Sequence, residues 1–411
     1  MIYSRPIRAM ALLLAVSAPL AVSAPLAAQP SVAVTFGSTF DSFRPTTSAT
    51  ESRRTLVGAM RIDNAFAAGR GRLYYDLDAG DYDSPGDWSY RLHEAGGSFR
   101  LSGTDSSNRK VFLTGSMLSR RNGDSWTSAD YSATGGGLNI ELHPRDGATF
   151  RAGYRADYRR FGDLSALTQL EHSGFASLLA NFQTRTSLIV EGQVGSKRYE
   201  GLVYDDLTLG SVFDTVLTTT RGRGFGAGMG PDIRYTTVSS PSTSERGSAG
   251  MLSVMGRIAQ SLGDRTGVRV QATARRTFGS VPPLLVTTPA GFFEDGVYDD
   301  PFASNAVVLE TGITHVFANA AEIAATAWWA DKDYTSAVAL DVEGAPVSGS
   351  PLRRDRVALG SVTWSQPLFA ARTGALALTS EVGYRLLRHR SADAFYNYTS
   401  HALSIGISVG Y

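Results

Sequence analysis

The sequence contains no cysteine. This absence excludes disulfide bonds, thiolate metal sites, a cysteine nucleophile and lipid modification of an N-terminal cysteine. No stretch in the body of the chain is apolar for long enough to predict a membrane-spanning helix. Lys and Arg (39) almost balance Asp and Glu (38), so nothing indicates a general attraction to nucleic acid. The fold must therefore be inferred from the order of residues along the chain.

The first residues have the features of a secretory signal peptide. Arg5 and Arg8 form a positive n-region, and the apolar segment after them ends in small residues near Ala28. Two prolines interrupt that segment, which favours cleavage over retention as a membrane anchor. We predict a signal peptide over 1–28 and a single domain over 29–411.

The rest of the chain alternates between apolar and polar residues with a period of two, which is typical of strands. The segment TFRAGYRADYR (149–159) shows it most clearly, with aromatic and alanine residues at one parity and arginine and aspartate at the other. The pattern predicts sixteen strands, within a range of 14–18. They lie near 31–42, 55–66, 71–81, 89–102, 110–120, 130–142, 149–160, 170–182, 186–198, 245–260, 266–278, 304–317, 321–334, 354–368, 374–388 and 397–411.

The connections between these strands alternate in length. Short turns rich in Gly, Asp and Asn separate one set of strand pairs. The longer connections lie near 43–53, 82–88, 121–129, 161–169, 200–244, 279–303, 336–353 and 389–396. Short turns at one end and longer loops at the other are typical of a membrane barrel whose oily face meets lipid and whose charged face meets a wet lumen. An array of β-sandwiches is the alternative fold, but it would not explain this alternation.

The last strand carries an apolar residue at every second position. These residues are Leu403, Ile405, Ile407, Val409 and Tyr411. The row resembles the C-terminal assembly signal of bacterial outer-membrane β-barrel proteins, in which the final aromatic residue is usually Phe. The resemblance implies an all-β, antiparallel, up-and-down transmembrane barrel in the bacterial outer membrane. It also implies periplasmic chaperones, the barrel-assembly machinery, outer-membrane lipids and lipopolysaccharide as partners.

Aromatic residues concentrate at strand ends beside the longer loops. They are Tyr82, Trp88, Tyr90, Trp126, Tyr131, Tyr158, Phe161, Tyr199, Trp328, Trp329, Tyr334, Phe395, Tyr396 and Tyr398. Aromatic rings favour the headgroup layer of a membrane, where one edge of the ring is hydrated. We therefore predict that this set forms a belt at the membrane interface.

The polar parity of the strands predicts a charged, pore-lining wall. It comprises Arg72, Asp76, Asp78, Arg100, Arg151, Arg155, Arg159, Glu191, Arg269, Arg275, Glu381 and Arg385. Arginine predominates, and rings of arginine favour anions. The alternative is that these charges pair with one another and only keep the lumen hydrated.

The longest connection, 200–244, contains the segment RGRGFGAGMG. One interpretation is that it folds into the lumen and constricts it at Arg221 and Arg223. The other is an exposed loop. Its glycines do not make a phosphate-binding loop, because no Lys-Ser or Lys-Thr follows them.

The sequence contains few features that are typical of an enzyme. Six histidines are scattered along the chain without metal-ligand spacing, and no GxSxG motif is present. We predict no catalytic activity, no cofactor and no metal. Loop carboxylates are open to a second interpretation as calcium ligands, beside that of hydrated surface charge. They are Asp81, Asp83, Asp87, Glu294, Asp295, Asp299 and Asp300.

Together these patterns predict a porin-like channel for passive passage of small polar solutes, with a mild preference for anions. One alternative is a structural or adhesive barrel with a plugged lumen and functional loops. Another is a polymer-export pore that works with a separate periplasmic partner. The sequence leaves open whether the barrel forms a homo-oligomer.

Overall fold

The protein is a closed β-barrel. A computed structural model describes residues 31–45, 51–66, 70–82, 89–104, 107–123, 127, 130–163, 167–202, 246–279, 300–342, 345–370 and 376–410. The first eight strands are β1 (Ser31–Pro45), β2 (Glu51–Phe66), β3 (Gly71–Tyr82), β4 (Tyr90–Ser102), β5 (Arg109–Asn122), β6 (Tyr131–Arg145), β7 (Ala148–Phe161) and β8 (Gln169–Asn181). The second eight are β9 (Thr186–Leu202), β10 (Arg246–Ser261), β11 (Thr266–Gly279), β12 (Ser304–Val316), β13 (Glu322–Val338), β14 (Leu352–Ala370), β15 (Ala377–Ser391) and β16 (Tyr398–Gly410).

Each strand pairs antiparallel with its neighbours in the chain, and β1 closes the barrel on β16. In that closing pair Val34 stands opposite Val409, and Phe36 stands opposite Ile407. The prediction of about sixteen antiparallel strands in an up-and-down barrel is confirmed, and each predicted strand is present. The predicted signal peptide lies outside the described residues.

The apolar parity of the strands faces outward. Ile405, Ile407 and Leu403 expose 50%, 48% and 41% of their surface, although a core residue of a water-soluble domain would be buried. Comparable rows run along the other strands, among them Val190 and Val194 on β9. A continuous apolar band around a closed barrel is stable in lipid and not in water. The barrel therefore spans a membrane through its strands.

Aromatic residues surround the outside of the barrel near the short turns. The outward residues there are Phe66, Phe99, Phe182, Phe317, Trp364 and Phe369. The rings of Phe66 and Phe99 stack with centroids 6.3 Å apart, and Phe317 lies 5.2 Å from Trp364. This girdle marks one edge of the lipid-facing band.

The two ends of the barrel differ in their connections. At one end the connections are short turns such as Asp146–Gly147, where Gly147 adopts φ +75°, a conformation that glycine tolerates. The opposite end, called here the long-loop end, includes 203–245 and 280–303. Two predicted long loops are shorter than expected, because β1, β2 and β15 extend further than predicted and leave only 46–50 and 392–397. Within the described residues, no helix is long and apolar enough to cross a membrane.

Candidate functional site: the inner wall of the barrel

The polar parity of every strand turns into the barrel. Arg151 on β7 stands directly opposite Glu141 on β6, and Arg275 on β11 stands opposite Ser253 on β10. Strand parity places all twelve predicted lumen residues on this inner face: Arg72, Asp76, Asp78, Arg100, Arg151, Arg155, Arg159, Glu191, Arg269, Arg275, Glu381 and Arg385. Arg221, Arg223 and Tyr411 lie outside the described residues, and the role of the inner face in conduction stays a prediction.

Four of the predicted arginines form ion pairs with inward carboxylates. The pairs and their N–O distances are Arg72–Asp63 (2.8 Å), Arg151–Glu141 (2.8 Å), Arg155–Asp157 (2.6 Å) and Arg269–Glu310 (3.0 Å). Each partner lies on the same strand or an adjacent one, at the same parity. Such pairing keeps the wall hydrated and lowers the positive potential that unpaired arginines would create.

A second set of interactions joins β3 and β4 with β7 on the inner wall. The Tyr74 hydroxyl on β3 donates a hydrogen bond to Glu94 on β4 at 2.6 Å. Arg155, which lies on β7, interacts electrostatically with both of these residues. Gly96 leaves room for the Tyr74 ring, because a Cβ atom there would lie 2.6 Å from Tyr74 Cζ. Gly135 likewise lies close to the Arg155 guanidinium group.

Arg353 forms the centre of a buried polar cluster at the long-loop end. Its guanidinium carbon lies 3.2 Å from the ring centroid of Tyr396 and 4.3 Å from that of Tyr334. The same group binds both carboxylate oxygens of Asp355, which has no exposed surface. Nε2 of His389 lies 2.9 Å from the Asp355 carboxylate. Burial raises the pKa of the Tyr396 hydroxyl, so the ring stays neutral beside the arginine.

A second buried cluster ties the segment before β12 to the inner wall. Asp300 accepts hydrogen bonds from Lys197 Nζ (2.7 Å) and the Tyr199 hydroxyl (2.6 Å), both on β9. Phe302, in the 3₁₀ turn Pro301–Ala303, is 1% exposed and packs under Lys197. The structure therefore uses Asp300 as an ion-pair partner of a lysine.

The other loop carboxylates give no metal site that the structure describes. Asp81 accepts a hydrogen bond from Ser89 at 3.0 Å, and no group of three potential ligands lies within the described ranges. The remaining candidates, Asp83, Asp87, Glu294, Asp295 and Asp299, fall outside those ranges.

The prediction of an aromatic belt at the long-loop end is wrong for most of the members that the structure describes. Strand parity turns Tyr90, Tyr131, Phe161, Tyr199, Trp328, Tyr334 and Tyr398 inward. Tyr131 packs against Phe161 at 5.3 Å, and both are at most 5% exposed. Tyr158 and Trp329 do face outward. Trp88, Trp126 and the side chains of Tyr82 and Phe395 are not described. The turns Pro301–Ala303 and Ala394–Tyr396 cover part of the inner face at this end, and inward aromatic rings such as Tyr199 pack beneath them.

Sequence reasoning also missed Lys197, Glu94, Arg353 and Asp355 as residues of the inner face. Alternation of charge gives no signal for Arg353 and Asp355, because Arg354 and Arg356 place charges on the opposite face of the same strand. Their partners lie far away in sequence: Lys197 and Asp300 are 103 residues apart. No local pattern identifies such pairs.

The outer face carries arginines at the long-loop end. We call this set the outer arginine rim: Arg54, Arg91, Arg121, Arg160, Arg198, Arg276, Arg354, Arg356, Arg388 and Arg390. Among the described residues, carboxylates near the rim are fewer: Asp81, Glu200, Asp331 and Asp333 on the strands, and Asp130, which pairs with Arg121 at 3.3 Å. The rim is therefore positively charged.

Comparison with known proteins identifies no family. No family model matches the chain, and no curated protein matches it. The chain is similar to OccAB1 of Acinetobacter baumannii (10% identity, 93% of this chain and 96% of the other, TM-score 0.49). It is also similar to a loop-deletion mutant of OmpT, an outer membrane protein of Vibrio cholerae (11%, 94% and 100%, TM-score 0.43). A third structure is a bacterial polysaccharide outer membrane secretin (11%, 93% and 97%, TM-score 0.45). Likenesses this weak carry no argument about function.

Proposed function

We propose that the protein is an outer-membrane channel for passive passage of small polar solutes. The observation that carries the proposal is the division of the barrel into an apolar outside and a charged inside. Barrels of about 16 strands are wide enough to leave an aqueous channel. In this proposal the predicted signal peptide directs secretion. The barrel-assembly machinery then recognises the row ending at Tyr411 and inserts the barrel.

The proposed channel has a mild preference for anions. Arg159 on β7 and Arg257 on β10 add positive charge to the inner wall besides the paired arginines. Glu191 and Glu381 add negative charge, and carboxylates neutralise Arg151 and Arg155. Near-balance of this kind favours anions weakly, because selectivity follows the net field along the pore.

Single-channel recording in a planar bilayer tests the proposal. We expect the refolded full chain to show a steady open conductance, with a reversal potential in a salt gradient that indicates weak anion selectivity. A correctly folded barrel that shows no conductance would contradict the proposed channel function.

The selectivity can be assigned to the inner face with variants of β7. In Arg155→Ala/Arg159→Ala, two inward charges are lost and Asp157 loses its partner. The anion-to-cation permeability ratio should fall by about twofold to fivefold, since a nearby unit charge is worth about 1 kcal/mol in water. Arg160→Ala removes a charge from the outer face of the same strand and serves as the control. Equal changes of the permeability ratio in the double variant and in Arg160→Ala would show that the inner charges of β7 do not set the selectivity.

A plugged structural or adhesive barrel is the second candidate. It is favoured by the inward position of Pro301–Ala303 and of Tyr396, which pack against the inner wall at the long-loop end. Such a barrel would fold without conducting. A polymer-export pore would conduct only when its periplasmic partner or polymer were present, so both alternatives are outcomes of the same recording.

We propose no catalytic role for the described residues. His93, His172 and His401 each pair through Nδ1 with a tyrosine hydroxyl on the neighbouring strand, at 2.8 Å or less. His389 is 5% exposed, so a substrate would not reach it. Assays of lipid and peptide hydrolysis by the purified barrel should show no turnover, and measurable turnover would contradict the proposal.

A further inference from the structure

The outer arginine rim contains two places where arginines stand directly opposite each other on neighbouring strands. On β14 and β15, Arg356 pairs in register with Arg390. On β4 and β5, Arg91 stands opposite Arg121, which also binds Asp130 at 3.3 Å. Like charges at directly opposed positions of a sheet repel each other and destabilise the pair. An outward sheet with this arrangement is most stable when an anion lies between the two side chains.

The patch on β14 and β15 is the denser of the two. Arg388 precedes Arg390 by two residues, so both side chains point outward, and Arg354 lies in the same way beside Arg356. Adjacent same-face positions on one strand are about 6.6 Å apart. Four guanidinium groups therefore lie within reach of one ligand, and we call them the β14–β15 arginine patch.

The carboxylates beside this patch neutralise only part of it. Asp331 and Asp333 on β13 bind Arg354, at 3.2 and 3.1 Å. Asp331 also lies 3.5 Å from Arg356. Among the residues that the structure describes, Arg388 and Arg390 form no ion pair. The patch keeps a net positive charge and holds two arginines available to a ligand.

The patch lies at the upper edge of the lipid-facing band. Arg388 shares a register row with Ala358 and Trp329, an outward indole that is 38% exposed. Immediately below it on β15 come Leu386 and Tyr384, at 39% and 46% exposed. Exposed tryptophan and tyrosine side chains mark the headgroup level of a membrane. The patch is therefore at the depth of lipid phosphates.

The strands beneath the patch are firmly packed on their inner side. Val357, Leu387 and Tyr398 form a buried cluster directly behind it, with exposures of 8% or less. The arginine backbones are thus fixed, while the Arg356 side chain remains 62% exposed. A fixed array of arginines suits phosphate, because each planar guanidinium group can bind two phosphate oxygens at once.

The geometry points to a binding site for the phosphate groups of a lipid headgroup in the membrane leaflet next to the long-loop end. Arg356, Arg388 and Arg390 bind the phosphates directly, and the apolar outer faces of β14 and β15 contact the acyl chains below. Charge complementarity selects the lipid. The site depends on the barrel spanning a membrane and not on conduction, so it stands even if the barrel proves closed.

Binding of bisphosphorylated lipid A by the refolded full chain in zwitterionic micelles tests the site. The same lipid with both phosphates removed provides the comparison. We expect the protein to bind the phosphorylated lipid at least about tenfold more tightly. The variant Arg356→Gln/Arg388→Gln/Arg390→Gln should lose about tenfold in affinity for that lipid and nothing for the other.

A matched control removes three exposed arginines from the short-turn end: Arg109→Gln/Arg145→Gln/Arg265→Gln. Its affinity should remain within about twofold of the unmodified protein, since those charges lie at the opposite edge of the membrane. Equal loss in the two variants would show unspecific attraction by net charge and would overturn the site. Equal binding of the phosphorylated and dephosphorylated lipids would also overturn the site. Full displacement of the lipid by millimolar inorganic phosphate would do the same.

Folding of each variant is checked by the shift of the heat-modifiable band in electrophoresis. Should the triple variant fail to fold, Arg388→Gln alone gives the answer. Its side chain points away from the barrel, and its loss should still reduce the preference for the phosphorylated lipid severalfold. An unchanged preference in this single variant would contradict the site.

Discussion

Arg353 and Asp355 lie in a part of the inner wall that water does not reach, with side chains 8% and 0% exposed. Arg353→Ala leaves the Asp355 carboxylate buried without a cation, beside only His389 and the Ser391 hydroxyl, which donates a hydrogen bond to it at 2.6 Å. Removing one partner of a buried ion pair costs about 3–5 kcal/mol. We expect a loss of this size in the free energy of unfolding, measured by urea titration of the barrel in micelles.

The neighbouring Arg354 provides the control for this prediction. Its side chain is 53% exposed and pairs with carboxylates on the outer face. Exposed ion pairs contribute little, so Arg354→Ala should cost less than about 1 kcal/mol. Arg353→Ala/Asp355→Ala should recover part of the stability lost in Arg353→Ala. If Arg353→Ala proved as stable as Arg354→Ala, the buried cluster would not stabilise the fold.

At the scale of single residues, the sequence predicted which face of the barrel a charged side chain lies on, but not which residues it contacts. Alternation alone placed Arg151 and Arg155 on the inner face, because parity is a local property of a strand. It did not place Arg353 between Tyr334 and Tyr396, since the two rings lie on either side of β14 along the chain. Such contacts depend on which strands become neighbours and on how the loops fold back.

Strand β6 contains three consecutive glycines, Gly135–Gly137, whose neighbours differ. A Cβ atom at the inward Gly137 would lie 2.8 Å from the Tyr154 carbonyl oxygen, which belongs to the backbone of β7 and cannot move aside. Gly137→Ala should therefore destabilise the barrel by about 1–3 kcal/mol. The midpoint temperature of the heat-modifiable transition measures this change.

Gly136 is the matched position on the same strand. It faces outward, and the nearest atom to an added Cβ is 3.7 Å away. Gly136→Ala should be neutral or stabilising by about 0.4–1 kcal/mol, because alanine restricts the unfolded chain. If both variants had the same midpoint temperature, close packing of β6 on β7 would not explain why glycine is needed at position 137.

Element bounds followed from the sequence to within a few residues for most strands. β11 was predicted at 266–278 and runs from Thr266 to Gly279. The differences of four residues lie at the long-loop end, as in β13, predicted to end at 334 and observed to reach Val338. Turn residues near the membrane mark a strand end clearly. Strands that continue into water pair by backbone hydrogen bonds and need no apolar alternation, so their ends leave a weaker signal.

For the molecule as a whole, the direction of each face relative to lipid decides what a substitution does. Val270 on β11 faces outward and is 58% exposed, and Gln271 beside it faces the lumen. Val270→Arg should cost about 2–4 kcal/mol, because it places a charge in the hydrocarbon layer. Gln271→Arg should cost less than about 1 kcal/mol, since the lumen is polar.

Folding into phospholipid vesicles followed by urea unfolding measures both variants. A barrel with its polar parity outward would reverse their order. Equal costs would show that neither face contacts lipid.

The sequence by itself determined the fold class, the approximate number of strands and the inner face on which the predicted lumen charges lie. It did so because alternation, turn residues and loop length are local properties that survive without knowledge of neighbours. Only the tertiary structure decided that aromatic rings at the long-loop end turn inward, and that Arg356 stands opposite Arg390. Those features depend on the register between strands and on the inward packing of Phe302 and Tyr396. They arise from packing between distant parts of the chain, which no local pattern records.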